Sequence, residues 1–284
     1  MKQTPLVPLK PEEYRCLVKQ ALEEDLGLAD ITSEVLIDKK LSGKGVIIAM
    51  ESCVVAGLDI ACEVFRQMDP QIATTVFHSD GQYCEKDDVI AEFVGSARAI
   101  LVAERTALNF MQRLSGIATL TRRFVRAASD KIIVRDTRKT TPLFRVLEKY
   151  AVRAGGGANH RVGLSDGILI KDNHLVFLGS VGNAVNKMKK AGQGLSIEIE
   201  VQDVGDVEKA IEAGAEIILL DNMTTSEIME AMKICQGRAK VEISGGITLE
   251  RMPELVDTGA QYVSVGALTH SAPAVDLSFE IEPI

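Results

Sequence analysis

The chain has 284 residues, a formal net charge of −8 and a sequence pI near 5.2. Aromatic residues make up only 4% and tryptophan is absent, which argues against a base-stacking nucleic-acid platform, while the acidic balance argues against binding to DNA or membrane surfaces. No apolar run reaches the roughly 18 residues of a membrane span, and the five cysteines form no CxxC pair. We therefore expect a cytoplasmic protein with reduced thiols.

The pattern of the first 128 residues predicts a small α+β domain. A helix is expected from Pro11 to about Leu26. Short β-rich runs follow, with one helical insert at Leu58–Met68. The runs are GVIIAM, CVVAGL, QIATTVF and DVIAEFVG. A long helical stretch from Ala97 to Ala128 is predicted to break near Gly116. This part contains no cluster of catalytic residue types, and Arg105 alone would be interpreted as a surface arginine.

From Asp130 onward, apolar β-branched runs alternate with amphipathic helices. The predicted strands are IIV (132–134), ILI (168–170), IEIEV (197–201), IILL (217–220), VEI (241–243) and YVSV (262–265). This alternation predicts a parallel sheet with right-handed crossovers. A closed eightfold barrel needs about 200 residues, so residues 129–270 favour a reduced or open barrel, with a doubly wound sheet as the alternative. Residues 271–284 form a tail that is a candidate to return to the N-terminal domain.

One stretch carries an unusual share of the positive charge. Residues 131–171 contain nine Lys or Arg and three acidic residues, a local charge of +6, which leaves −14 for the rest of the chain. A solvated helix face would alternate its charges at i, i+4 spacing, whereas many of these cations stand where predicted strands end. Positive charge at strand ends, beside glycine-rich backbone, indicates a polyanionic small-molecule ligand.

Each predicted barrel strand ends in residues that can support chemistry. In chain order they are Asp136, Arg138 and Lys139, then Lys171, Glu200, Asp221, Ser244-Gly245-Gly246 and Gly266-Ala267. These strand ends should converge on one face of a βα-barrel, where its active sites lie. The two glycine-containing loops predict a phosphate position, helped at the first by the dipole of a helix expected at Leu249–Asp257. Glu200 and Asp221 would suit ribose hydroxyls or Mg²⁺, or could neutralise nearby cations as structural ion pairs.

Seven motifs, in order, resemble a known family. They are RDTRKTTP (135–142), GGGANHR (155–161), LSDGILIKDNH (164–174), EIEV (198–201), LLDNM (219–223), EISGGI (242–247) and SVGALTH (264–270). On these residues the chain resembles the nicotinate-nucleotide pyrophosphorylases (carboxylating), also called quinolinate phosphoribosyltransferases. The resemblance implies an N-terminal α/β-sandwich domain (1–128) and an open seven-stranded αβ-barrel (129–270), of which the periodicity locates six strands. It also implies a dimer or hexamer in which one subunit covers its neighbour's barrel mouth.

The same resemblance implies a reaction and a set of site residues. A type II phosphoribosyltransferase, a glycosyltransferase of NAD biosynthesis, would join quinolinate to phosphoribosyl pyrophosphate, releasing pyrophosphate and CO₂ and forming nicotinate mononucleotide. The implied quinolinate ligands are Arg105 of a neighbouring subunit, Arg138, His160 and Arg161. The implied catalytic residues are Lys139, Lys171, Glu200 and Asp221, the last two with Mg²⁺. The remaining substrate contacts would come from Thr137, Ser244, Gly245, Gly246, Val265, Gly266 and Ala267.

Three other functions fit parts of the pattern. A lysine that ends a barrel strand, here Lys171, is also what a Schiff-base aldolase or decarboxylase uses. A related phosphoribosyltransferase could accept another small acid, such as nicotinate. A non-catalytic polyanion or RNA binder could use the 131–171 stretch, and its affinity would fall steeply with salt.

Overall fold

The computed structural model describes residues 5–284, which group into two compact units. The antiparallel unit contains the described residues up to Arg122 together with Thr141–Gly156 and Ser271–Ile284. The barrel unit contains Arg123–Thr140 and Gly157–His270. The expected division into 1–128 and 129–270 therefore needs a correction, because residues 141–156 group with the antiparallel unit.

Up to residue 127 the chain mixes helices with short strands, after a single 3-10 turn at Pro11–Glu13. The helices are α1 (Arg15–Leu26), α2 (Ile31–Leu36), α3 (Leu58–Met68) and α4 (Ala97–Ala127). The strands are β1 (Ser42–Ala49), β2 (Cys53–Val54), β3 (Ala73–Val76), β4 (Tyr83–Cys84) and β5 (Val89–Ser96).

Beyond residue 127 strands and helices alternate until the tail. The strands are β6 (Ile133–Arg135), β7 (Ile168–Ile170), β8 (Ile197–Val201), β9 (Ile217–Asp221), β10 (Lys240–Ser244), β11 (Tyr262–Ser264) and β12 (Leu277–Pro283). The helices are α5 (Arg145–Ala154), α6 (Asp172–Leu178), α7 (Val181–Ala191), α8 (Gly205–Ala213), α9 (Thr225–Cys235), α10 (Met252–Leu255) and α11 (Ala267–His270).

The antiparallel unit is built on a sheet with the strand order β12-β1-β5-β3. Buried and more exposed residues alternate along β1, as expected for a sheet with one face on the core. On the buried side the Phe65 ring stacks on Phe93 and Phe279, with centroid separations of 3.8 and 5.8 Å. Phe279 lies on β12, so the C-terminal tail completes this core.

Helix α4 runs without a break, so the predicted interruption near Gly116 is wrong. A Cβ at this position would overlap the carbonyl oxygen of Pro273. The glycine thus allows close backbone approach instead of ending the helix. Leu108, Met111 and Leu114 are buried, as expected for a core stripe. Neither α4 nor any other helix of the described residues is both long and apolar enough to cross a membrane.

Residues 141–156 belong to the antiparallel unit because of contacts that sequence periodicity does not reveal. The Phe144 ring stacks on Phe110 of α4 at a centroid distance of 5.6 Å. Glu148 of α5 is fully buried and accepts a hydrogen bond from Arg113 of α4 at 2.9 Å. An aromatic stack and a buried ion pair attach α5 to α4.

The barrel unit contains a parallel sheet with the order β6-β11-β10-β9-β8-β7, which confirms the predicted α/β class and all six predicted strands. At the free edge of β6, an isolated parallel bridge joins Arg135 to Ala158. This bridge lies where a seventh strand would pair. Side chains also meet across the sheet, since Arg135 contacts Glu242 of β10 and His160 contacts Glu198 of β8. The sheet is therefore rolled into an open barrel.

Candidate active site

The loops that follow β6 and β11 lie against each other. The Thr137 Oγ1 accepts a hydrogen bond from the Lys139 backbone N–H at 3.0 Å, and the Thr269 hydroxyl donates to the Lys139 carbonyl at 2.7 Å. A Cβ on Gly266 would stand only 3.1 Å from the Lys139 side chain. The predicted residues Thr137, Lys139 and Gly266 thus come together, and Lys139 remains exposed.

The ends of β7 and β8 hold an ion pair. The Lys171 Nζ lies 2.9 Å from Glu200 Oε2, and Glu200 is buried whereas Lys171 is half-exposed. The Lys171 N–H donates to the His174 Nδ1 at 2.9 Å, so His174 orients the start of α6. Lys171 is thus held at the barrel mouth in an ion pair with an acid of the neighbouring strand β8.

The loops after β9 and β10 form a second pair. Asp221 and Ser244 are register partners, and the Asn222 N–H donates to the Ser244 carbonyl at 3.0 Å. Gly245 and Gly246 have φ values of 88° and 58°, a region that favours glycine. A Cβ on Gly245 would also overlap the Asn222 side chain. Glycine is therefore required where backbone N–H groups are predicted to meet a phosphate.

Arg251 stabilises these loops, a role that the sequence did not indicate. Its guanidinium donates to the carbonyls of Met223 at 2.6 Å and Gly245 at 3.3 Å. The helix expected at Leu249–Asp257 is only the short α10, Met252–Leu255, and does not begin at the glycines. The predicted helix-dipole contribution at this loop is therefore wrong, and an anion here would be bound by loop backbone.

Two arginines form the most concentrated positive charge of the site. Burial and the neighbouring charge of Arg138 lower the pKa of Arg161. The Arg138 Nε is buried and has no hydrogen-bond partner among the described residues. The Arg161 Nη1 donates to the Gly167 carbonyl at 3.1 Å, which holds the guanidinium in place. Two adjacent, partly desolvated guanidinium groups provide a binding place for a carboxylate pair.

His160 lies close to this pair, but its ring points into the barrel interior. The Nε2 lies 3.0 Å from Glu198 Oε2 and 3.7 Å from Glu242 Oε1. Burial lowers the pKa of His160, but the hydrogen bond to Glu198 and the charges of both carboxylates outweigh it, so the pKa is raised overall. Burial, followed by the charge of Glu198, raises the pKa of Glu242. The predicted role of this imidazole as a direct substrate ligand is not evident, since two carboxylates surround its Nε2.

Glu198 and Glu242 were not among the predicted site residues, although the sequence carried a signal for Glu198. In the strand IEIEV, side chains two positions apart point to the same face, so Glu198 shares the face of Glu200. Glu198 on β8 and Glu242 on β10 both lie in strands whose central residues are buried. Ionised residues are almost never fully buried without partners, which makes an acid inside an apolar strand a candidate for a site.

Two of the cavities formed by the described residues lie in the barrel unit. One of about 200 Å³ is lined by both cations and acids, including Arg135, His160, Arg161, Asp166 and Glu198. The other, of about 130 Å³, is acidic and lies beside Glu200. Its carboxylate-bearing residues are Asp172, Glu200, Asp203 and Asp206.

Arg105 differs from the other predicted site residues, because it belongs to the antiparallel unit. It lies on α4 with 58% of its side chain exposed, and its guanidinium is 3.6 Å from Glu104. The other predicted site residues all belong to the barrel unit.

The sequence matches two family models that together cover most of the chain. Residues 117–280 match "Quinolinate phosphoribosyl transferase, C-terminal domain", and residues 30–115 match "Quinolinate phosphoribosyl transferase, N-terminal domain".

Named relatives are similar over nearly their full length. A Bacillus subtilis protein named "Probable nicotinate-nucleotide pyrophosphorylase (carboxylating)" is 44% identical, over 95% of this chain and 93% of its own. The rice protein "Nicotinate-nucleotide pyrophosphorylase (carboxylating), chloroplastic" is 37% identical, over 97% of this chain and 81% of its own. The solved nicotinate-nucleotide pyrophosphorylase of Francisella tularensis has a TM-score of 0.94 at 39% identity, covering 98% of this chain and 99% of that one.

Proposed function

This chain belongs to the quinolinate phosphoribosyl transferase family, and we propose that it catalyses the family reaction as a carboxylating nicotinate-nucleotide diphosphorylase. It transfers the phosphoribosyl group of phosphoribosyl pyrophosphate to the ring nitrogen of quinolinate. Pyrophosphate and CO₂ leave, and nicotinate mononucleotide is formed for NAD biosynthesis.

The Arg138–Arg161 pair is the observation that supports this substrate best. Quinolinate carries two adjacent carboxylates, and a guanidinium fork binds a carboxylate through two parallel hydrogen bonds. Both arginines are partly desolvated, as the lowered pKa of Arg161 and the buried Arg138 Nε indicate. Such a site favours a dianion over a monocarboxylate like nicotinate, because a single carboxylate would leave a repelling cation without a partner.

Phosphoribosyl pyrophosphate would bind along the loops at the carboxyl ends of the strands. Lys139 stands beside Gly266 and can reach an anion on the loop after β11. Its 5′-phosphate would lie on backbone N–H groups of the two final loops. The residues of those loops are Ser244, Gly245, Gly246, Val265, Gly266 and Ala267.

We assign Mg²⁺ binding to Glu200 and Asp221. Mg²⁺ is usually held by one or two carboxylates together with substrate phosphates, and Glu200 and Asp221 are acids near the carboxyl ends of the adjacent strands β8 and β9. When bound, the ion would neutralise charge on the departing pyrophosphate. Lys171 already pairs with Glu200, so it is placed to exchange that carboxylate for a substrate phosphate.

The residues of the chain then act by positioning and by electrostatic stabilisation. The site holds two anions together that repel each other in water, which brings the pyridine nitrogen to the anomeric carbon. Lys139 and Lys171 stabilise charge that develops on the leaving pyrophosphate. Once the ring nitrogen carries positive charge, the C2 carboxylate leaves as CO₂, and the electron pair that remains on C2 takes up a proton from water. None of these steps requires an acid–base pair.

We further propose a homo-oligomer, a dimer or a hexamer, in which Arg105 serves the site of a neighbouring subunit. Its exposed position on α4 leaves it free to do so. Large apolar side chains are exposed on both units, and such surfaces mark interaction sites. They are Leu28, Ile31, Val35 and Leu36 in one unit, and Leu164, Val176 and Phe177 in the other. We assign the enzyme to the cytoplasm, where reduced cysteines are expected.

The proposal is tested by incubating the purified chain with quinolinate, phosphoribosyl pyrophosphate and MgCl₂. Nicotinate mononucleotide and CO₂ should appear in equal amounts, and EDTA should suppress both. Nicotinate in place of quinolinate is the matched control, because it gives the same nucleotide without CO₂. Turnover of nicotinate alone would contradict the substrate assignment, and no turnover of either acid would contradict the reaction.

A further inference from the structure

A buried ionic network connects three strands of the barrel to the segment that carries Arg161. The Arg135 Nη1 donates to Glu242 Oε2 at 2.7 Å, and His160 Nε2 approaches both Glu242 Oε1 and Glu198 Oε2. Glu198 is 4% exposed and Glu242 is fully buried. Buried charges persist only when they are paired. Here the His160 imidazole connects the paired carboxylates of Glu198 and Glu242 to the backbone of Arg161.

The network also fixes the other side of the His160 ring. The Arg161 backbone N–H donates to His160 Nδ1 at 2.7 Å. An acceptor nitrogen must present its lone pair, so in the neutral ring the proton lies on Nε2, which is 3.0 Å from Glu198 Oε2. The His160 N–H in turn donates to Asp136 Oδ1 at 2.8 Å, and the Asn159 side chain donates to Asp136 Oδ2 at 2.6 Å. Residues 159–161 are thereby held in place by the hydrogen bonds to Asp136 and by the hydrogen bond to the His160 ring.

A cation could in principle replace that proton, because His160, Glu198 and Glu242 offer ligand atoms within 4.8 Å of one another. The hydrogen bonding argues against it. A metal on Nε2 requires the imidazole proton on Nδ1, where it would point at the Arg161 N–H. Arg135 would also remain bound to the Glu242 carboxylate beside the metal. The arrangement suits a donated N–H better than a metal ion.

We propose that Glu198 and Glu242 are positioning residues for quinolinate. They anchor the His160 ring inside the barrel, and the ring holds the backbone of Arg161 so that its guanidinium stays beside Arg138. Neither glutamate touches the substrate. This inference rests on the proposed function, since quinolinate is the ligand that Arg161 is placed to bind. It also gives His160 an indirect role in place of the direct contact predicted from the sequence.

The test compares Glu198→Val, which removes the acceptor, with Glu198→Gln, which keeps an oxygen that can accept from Nε2. Loss of the buried 3.0 Å contact between Glu198 and His160 should raise the KM for quinolinate about tenfold or more in Glu198→Val. Glu198→Gln should stay within about threefold of the wild type, because the acceptor is retained. The KM for phosphoribosyl pyrophosphate should change little in either variant. Glu212→Gln is the matched control, since Glu212 is an exposed acid of α8.

A fall in kcat with the quinolinate KM unchanged would overturn the positioning role, because that role is exerted on quinolinate binding. An equal rise in the KM of both substrates would also overturn it, because a general structural defect does not act on one substrate alone. Equal effects of Val and Gln would also overturn it. Should Glu198→Val fail to fold, the ring nitrogens of wild-type His160, assigned in ¹⁵N NMR spectra with His160→Gln, decide the question. At a pH where the ring is neutral, the proton must be on Nε2, and a proton on Nδ1 in the neutral ring contradicts the proposed anchor.

The two levels of inference can fail separately. If the wild type does not convert quinolinate, the proposed function is wrong whatever the NMR tautomer. If it does and Glu198→Val has a normal quinolinate KM, only the positioning inference is wrong.

Discussion

Glu148 of the antiparallel unit and the Glu198–Glu242 pair of the barrel unit differ in how completely these buried carboxylates are hydrogen-bonded. In the antiparallel unit, Glu148 Oε1 accepts from Arg113 and from the Thr141 hydroxyl, each at 2.9 Å, and its Oε2 accepts from the Thr141 N–H at 3.1 Å. In the barrel unit, Glu198 and Glu242 each leave an Oε1 without a hydrogen-bond partner among the described residues.

The difference indicates what each set of charges is for. A completely hydrogen-bonded buried acid fixes local structure. Removing it lowers stability, because its former donors stay buried without an acceptor. A buried acid with an oxygen that lacks a hydrogen-bond donor is typical of functional sites, which tolerate polar groups without partners. We therefore expect mutations at Glu148 to change stability, and mutations at the barrel arginines to change substrate affinity.

The largest effect is expected at the barrel arginines. Arg138→Ala and Arg161→Ala should each weaken quinolinate binding by about 2 to 5 kcal/mol, because one carboxylate of a desolvated dianion loses its partner. Steady-state kinetics with varied quinolinate, together with thermal unfolding, measure both sides of the comparison. The exposed Arg238, paired with Glu208, supplies the control Arg238→Ala, which should leave KM unchanged. Normal quinolinate binding in either arginine variant would remove the substrate assignment.

A comparable loss, but in stability, is expected in the antiparallel unit. Glu148→Ala should lower the free energy of unfolding by about 3 kcal/mol, since it leaves Arg113 and the Thr141 N–H without their acceptor. Denaturant unfolding followed by circular dichroism gives this value. The quinolinate KM of the folded fraction should match the wild type. A raised KM with unchanged stability would abolish the contrast between the units.

Arg105 gives a further test of the contrast between the units. It is a charged residue of the antiparallel unit, but its proposed role is in the barrel site of a neighbouring subunit. Arg105→Ala and Lys171→Ala should each be nearly inactive. When mixed, they should recover about a quarter of the wild-type activity in a two-fold dimer with random exchange, since half the subunit pairs contain one intact site. Subunit exchange must be verified by mass spectrometry of differently tagged chains. No recovery after verified exchange would place Arg105 outside the neighbouring site.

The smallest effect on the folded chain is expected at the exposed apolar surface of the barrel unit. Phe177→Ser should shift the assembly toward smaller species in analytical ultracentrifugation, because 89% of Phe177 is exposed within one subunit. Its midpoint of unfolding, measured at a concentration where the variant is monomeric, should stay close to that of monomeric wild type. Lys187→Ala, a change at an exposed position of the following helix α7, is the control. An unchanged mass would exclude this surface from the interface.

Much of the fold could be predicted because its signals are local. The six barrel strands follow from short apolar runs between helical periods, and the end of each strand is read directly from the sequence. The Lys171–Glu200 pair joins two strand ends that were both predicted to lie in the barrel mouth. Strand parity even places Glu198 on the face of Glu200, although that signal was not used.

The errors arise where distant segments decide the local structure. Gly116 was predicted to interrupt α4, yet it lies within an unbroken helix because the Pro273 backbone passes beside it. Residues 141–156 carry a helical period that would suit a barrel helix equally well. They join the antiparallel unit because Phe144 meets Phe110, a contact that no local pattern encodes.

By itself, the sequence determined the alternation of strands and helices, the residues at each strand end and the family, because backbone periodicity and motif order are properties of neighbouring residues. Only the tertiary structure decided which charges meet. The His160 ring lies between Glu198 and Glu242 because the sheet rolls and brings separate strands together inside the barrel. Electrostatic interactions depend on distance and burial, and both are set by that rolled sheet, not by position along the chain.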